Sequence, residues 1–198
     1  MRKPSKSFFI RTFRINGLLI FISLILLLIR VPLKMIESFL HNETSSLLKE
    51  YSEFMSKLLG GISNTLDGVI VLSVSTLLLL VVPELVTRII NDSLANWFSS
   101  IWVSLRLKKF LIRQADHEGE GVFKIQQHNK SIRKSVIDIR NKKITYLVEL
   151  PNDMQAQKLI LEAKEILREE ISSRFSEYTF SNFERYKHSL RIEGTKVR

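Results

Sequence analysis

Residues 68–83 carry no charged side chain, and that run limits what the rest of the chain can be. Extending it to 66–85 adds only Asp67 near the start and Glu84 near the end. Its centre, residues 69–82, is nearly all branched aliphatic, with Ser73, Ser75 and Thr76 as the polar members. A helix buried in a large soluble core could hold such a run, but 198 residues leave no domain large enough to surround it. A membrane span of about 20 residues is the expectation.

A second apolar run, residues 15–29, lies near the N-terminus. It is short for a hydrocarbon layer about 30 Å thick, but Arg30 and Lys34 can lay their alkyl stems in that layer and keep their charges at the headgroups. Arg2, Lys3, Lys6, Arg11 and Arg14 would also suit a signal peptide. The residues after the run offer no small-x-small cleavage site, which favours an uncleaved anchor. Five Lys or Arg and no acid precede the first span, and Arg88, Arg106, Lys108, Lys109 and Arg113 follow the second. Residues 37–65 between them carry Lys49 and Lys57 against Glu37, Glu43, Glu50 and Glu53. The positive-inside rule then places both termini in the cytoplasm and the loop outside. Glu84 and Arg88, four apart, are placed to pair on one helix face.

The segments around the spans have their own patterns. Leu47, Leu48, Tyr51, Phe54, Met55, Leu58 and Leu59 repeat at helical spacing, which predicts an amphipathic helix over residues 45–59 stopped by Gly60-Gly61. After the second span, Asp92-Ser93 can cap a helix whose face is Leu94, Trp97, Phe98, Ile101, Trp102 and Leu105. With Arg106, Lys108 and Lys109 at its end, this helix suits the headgroup layer, with a continuation of the second span into the cytoplasm as the alternative, and Trp97, Trp102 and the three cations are candidate membrane-interface residues.

Beyond a linker at 114–121 the period becomes alternating. Val136–Ile139 is expected to pair with a strand carrying Ile144, Tyr146, Val148 and Leu150 on one face, across a polar turn at 140–143. Asn152 and Gln155 have capping-box spacing for one long helix. Its buried stripe would be Ala156, Leu159, Ile160, Ala163, Ile166, Leu167 and Ile171. Residues 177–181 and 186–193 read as further strands. The expected architecture is an α-helical membrane hairpin of two transmembrane helices with a small cytoplasmic α+β domain. Its parts are a basic tail (1–14), transmembrane helices at 15–36 and 66–90, an extracytoplasmic loop (37–65), the interfacial helix (91–113), the linker and the domain (122–198).

Chemistry is sparse. The chain has no cysteine, hence no disulfide or thiolate site. A phosphate-binding Gly-rich loop is missing, and the four histidines, His41, His117, His128 and His188, are scattered. Glu162-Ala163-Lys164 falls on a predicted helix, where a surface ion pair is the better account. No catalytic residue, metal or cofactor is expected. The net charge of +10 suits an anionic partner. Lys124, Lys130, Arg133, Lys134, Arg140, Lys142 and Lys143 form the candidate phosphate- or lipid-binding set. Such a cluster fits nucleic-acid backbones, acidic lipid or simple solvation.

With residues 16–29 and 68–82 as spans and the basic domain from Phe123 onward, the layout resembles the two-transmembrane effectors of bacterial antiphage systems, most closely those paired with retron reverse transcriptases. The resemblance covers the whole chain as architecture and carries no short motif. It implies phage defence by abortive infection, with a reverse transcriptase and its RNA–DNA hybrid restraining a protein that damages the inner membrane on release. Homo-oligomerisation would be needed, since two spans cannot line a pore alone. Phage superinfection-exclusion proteins share the layout, and an anchoring subunit of a secretion or other membrane complex is the reading from a different class.

Overall fold

The computed structural model describes residues 6–42, 49–114 and 120–197. They are mostly helical, with one small antiparallel sheet, and fall into two compact units. Thr12–Glu84 form one; the described residues of Met1–Arg11 and Leu85–Arg198 form the other.

The first unit is built from α1 (Phe8–Asn42) and α2 (Lys49–Asn91). At 1.5 Å per residue they run about 52 and 64 Å, well beyond a 30 Å hydrocarbon layer. Both are long and apolar enough to cross a membrane. Their apolar side chains stay uncovered, Leu28 at 73% exposure and Leu79 at 74%, so they do not form a soluble core. The polar side chains do the opposite and meet between the helices. Ser23 and Ser73 share a hydrogen bond of 2.8 Å, Arg30 Nη2 donates to Asp67 at 2.8 Å, and Ser52 Oγ donates to the Leu40 carbonyl at 2.5 Å. Partner numbers rise along α1 as they fall along α2, which makes the pair an antiparallel hairpin.

Three sequence expectations change here. The first apolar helix extends past 15–36 at both ends. Gly60-Gly61 do not stop a helix; α2 runs through them and joins the amphipathic segment to the second apolar run. Two glycines lose about 2 kcal/mol of helix propensity together, but Gly60 permits a close approach: a Cβ there would lie 3.3 Å from Glu37 Oε1. Arg30, expected to reach for headgroups, is paired with Asp67. Residues 43–48, with Leu47, Leu48 and the expected start of the amphipathic helix, lie outside the described residues.

In the second unit, α3 (Leu94–Leu111) and α4 (Glu120–Lys134) precede β1 (Val136–Ile139) and β2 (Lys143–Glu149). Then come α5 (Met154–Glu162), α6 (Lys164–Arg174), β3 (Tyr178–Phe180), β4 (Glu184–Tyr186) and β5 (Ser189–Lys196). The sheet order is β1-β2-β5-β3, with β4 also paired to β5. Ile139 pairs with Ile144 and Tyr146 with Ile192, so the expected β1–β2 hairpin is present in the expected register. The core gathers Ile137, Ile144, Tyr146, Val148, Leu190 and Ile192 on one sheet face under Leu107, Ile132, Ile160, Leu167 and Ile171 from the helices.

Other expectations are corrected. Within the expected basic tail (1–14), α1 already starts at Phe8, and Phe9 and Ile10 are buried. Residues 120–134 form a helix that the sequence reading did not assign, and its start overlaps the expected linker at 114–121. The cap of α5 is Asp153, whose Oδ1 accepts from the Ala156 N–H at 2.7 Å, and not Asn152. The single long helix is two, divided at Ala163, and Ile166 is 57% exposed. No side chain at Ala163 explains the break. The strand expected at 186–193 folds back at Lys187-His188, with Lys187 in the left-handed region at φ 53°. Tyr186, His188, Leu190 and Ile192 keep an alternating pattern across that turn, which hides it in the sequence.

Candidate functional site

Ser93 caps α3 through its hydroxyl oxygen, which accepts from Ala95 N–H at 3.2 Å. The helix has two working faces. Ser100, Val103, Ser104, Leu107 and Leu111 are buried. The opposite stripe exposes Phe98 (62%), Trp102 (69%) and Leu105 (54%), beside exposed Arg106 and Lys109. Trp97 is half-buried, edge-on to Phe98 at 5.1 Å, and Lys108 is half-buried in the last turn. The expected aromatic face therefore exists, but α3 is an integral part of the sheet unit and not a helix lying separately from it.

The buried serines explain how α3 is held. β1 is an edge strand, and the N–H and C=O groups of Ile137 and Ile139 point away from β2. Ser104 Oγ accepts from Ile137 N–H at 3.0 Å, and Ser100 Oγ accepts from Ile139 N–H at 2.9 Å. Residues four apart on a helix rise about 6 Å, and alternate residues of a strand advance about 6.7 Å. The two hydroxyls thus match the two strand donors, and α3 closes an edge that would otherwise template pairing with another chain.

Arg88, in the last turn of α2, is completely buried. It donates to Asp92 at 2.5 Å, to the Ile139 carbonyl at 2.6 Å, and to Asp138. Phe9 places its ring 5.5 Å from the guanidinium. Asp92 also accepts from Asn96 Nδ2 and from Asn141 N–H, each at 2.8 Å. Burial pushes the Asp92 carboxyl up, but those two donors and Arg88 outweigh it and hold it below the usual carboxylate range. One arginine and two carboxylates therefore lock the end of α2 to the start of α3 and to the β1–β2 turn. The sequence alone shows Arg88 as a flanking charge and as a candidate partner of Glu84, not this junction; the available signal was Asp138, a lone acid inside the apolar strand Val136–Ile139.

The expected basic set is divided. Lys124, Lys130, Arg133 and Lys134 lie on α4, and Arg140, Lys142 and Lys143 at the β1–β2 turn. Three are neutralised within the fold: Lys134 pairs with Glu149 at 3.4 Å, Arg140 with Asp138 at 3.2 Å, and Lys143 with Glu193 at 2.6 Å. Lys124, Lys130, Arg133 and Lys142 have no acidic partner among the described residues, and Lys130, Arg133 and Lys142 are exposed. The turn is pinned, since Tyr178 Oη donates to the Arg140 carbonyl at 3.0 Å and Lys196 N–H to the Lys142 carbonyl at 3.1 Å. The turn is therefore held at its backbone while the Asn141 and Lys142 side chains stay exposed.

His128 is buried on α4. Its Nε2 meets the Leu111 carbonyl at 3.0 Å and so carries a proton, while burial lowers the pKa of the ring. It fastens α4 to the end of α3. Among the described residues no group of three or more His, Asp or Glu side chains could hold a metal ion. His117, between Asp116 and Glu118, lies outside the described residues. No protein-family model, curated protein or solved structure matches the chain, so its functional reading rests on its own residues.

Proposed function

We propose that the chain is a membrane-embedded effector of a bacterial antiphage defence system, inserted in the inner membrane as a two-span hairpin with both termini cytoplasmic. The observation that carries insertion is the inverted polarity of the hairpin. Its apolar side chains face outward, while Ser23, Ser73, Arg30 and Asp67 satisfy one another between the helices. That arrangement is unfavourable in water and suits a bilayer. The cytoplasmic placement of the second unit is supported by the Lys and Arg flanks. Residues at the start of α1 and the end of α2 also belong to that unit. Only Asp92 and Ser93 separate α2 from α3, so the Phe98, Trp102 and Leu105 stripe starts within reach of the headgroups, with Arg106 and Lys109 beside it.

The defence role is supported by the resemblance of layout. In this reading the free cations Lys124, Lys130 and Arg133 on α4 engage the phosphates of a restraining reverse transcriptase ribonucleoprotein. On release, copies associate through the exposed stripe Tyr51, Phe54 and Leu58 of α2 and damage the membrane.

The test is expression in bacteria without a partner, with membrane potential read by dye fluorescence and association by crosslinking. The wild type should depolarise the cells, and replacing Tyr51, Phe54 and Leu58 with serine should reduce both signals together. Full depolarisation by a variant that no longer crosslinks contradicts the oligomer, and a wild type harmless at high expression makes the chain an anchoring subunit.

A further inference from the structure

We infer that the polar face of the sheet carries an anion site sized for one phosphoryl group, closed by the residues that begin α1. Strand pairing puts Asp138 opposite Thr145 and Leu147 opposite Arg191 on the face turned away from the core. Lys6, Ser7 and Ile10 stand over this face and enclose a cavity of about 160 Å³ with Arg140, Lys143 and Arg191. Four cations therefore line it against one carboxylate, Asp138. The acids nearby are already shared. Asp138 serves both Arg88 and Arg140, and Glu193 serves both Lys143 and Arg191. Lys6 has no acidic partner among the described residues. Arg191 is 13% exposed, and its Nε–H is buried without an acceptor, an unsatisfied donor on a residue that lines the cavity.

Two further features suit a phosphoryl group. Ser7 caps α1, its oxygen facing Ile10 N–H at 3.4 Å, so the positive end of a 35-residue helix lies at the wall of the cavity. Ser7 and Thr145 add neutral hydroxyl donors to the lining. The volume is below the roughly 300 Å³ at which sites for drug-sized ligands begin and suits one phosphoryl group, either free phosphate or a lipid phosphate. Occupancy would tie the residues before the first span to the sheet. The site stands on the geometry of the second unit, and only the choice of a lipid source rests on the proposed insertion.

The test uses the full chain in nanodiscs. In one arm the discs are zwitterionic and inorganic phosphate is titrated by calorimetry. In the other the discs contain phosphatidic acid without free phosphate, and hydrogen exchange over residues 6–11 is followed. Binding or protection in either arm is expected, the first arm assigning free phosphate and the second a headgroup. Lys6→Gln and Arg191→Gln should each weaken it about tenfold, and Lys158→Gln, the same charge change on α5, should not. Lys6 is exposed, so its variant remains informative where Arg191→Gln disturbs the sheet. Absence of an effect in both arms, or binding unchanged in Lys6→Gln, overturns the site. The phosphate arm needs no particular topology, so its failure leaves the proposed insertion standing.

Discussion

At the scale of residues, the second unit depends on a few polar side chains placed against apolar surroundings. Ser100→Ala leaves the buried Ile139 N–H without its acceptor and Ser104→Ala does the same to Ile137, at about 1–2 kcal/mol each. Hydrogen exchange should report this locally: the Ile139 amide accelerates about tenfold in Ser100→Ala, the Ile137 amide in Ser104→Ala, with amides of β5 unchanged. Uniform acceleration, or none, would contradict the edge-strand role of the serines. Asp138→Asn removes a charge from fully buried Arg88 and should destabilise the unit more, by about 3 kcal/mol. These residues were poorly legible in the sequence. Serines in a helix rich in tryptophan read as neutral filler, because their partners are backbone groups more than thirty residues away. Asp138 was visible as a misfit, but nothing local said that Arg88 answers it.

At the scale of elements, side-chain chemistry at alternate positions was legible even where burial does not alternate. The β1–β2 hairpin showed in the sequence because Ile144, Tyr146 and Val148 recur at every second residue after a polar turn, although both faces of β2 are buried. The division into β4 and β5 was not, since the alternating pattern continues through the Lys187-His188 turn. The break at Gly60-Gly61 failed for a different reason: glycine lowers helix propensity without forbidding a helix, and a neighbouring helix can use the bare backbone. For α3 the sequence showed one apolar face, while packing uses the other. The exposed stripe can be tested directly, because Trp97 and Trp102 are the only tryptophans in the chain. With Trp97 replaced by phenylalanine, Trp102 fluorescence should be quenched by lipids brominated near the headgroup and shielded from aqueous iodide. Quenching by iodide alone would place that stripe in water.

At the scale of the whole molecule, the account turns on two long apolar helices with polar contacts between them and apolar faces outside. The two apolar runs and their flanking charges were legible from residues 15–29 and 68–83 alone, because hydrophobicity and Lys/Arg asymmetry need no tertiary knowledge. The start of α1 at Phe8 was not, and for α2 the sequence showed the helical stripe before Gly60-Gly61 but not its continuity into the second apolar run. Insertion as a hairpin is read out by a pair of topology reporters in a bacterial host. One is fused at Ser63, between the apolar runs, and one at the C-terminus. A phosphatase active only outside the cytoplasm should be active at Ser63 and silent at the C-terminus, and a fluorescent protein that matures only inside should give the reverse. The same readout from both positions would contradict the hairpin.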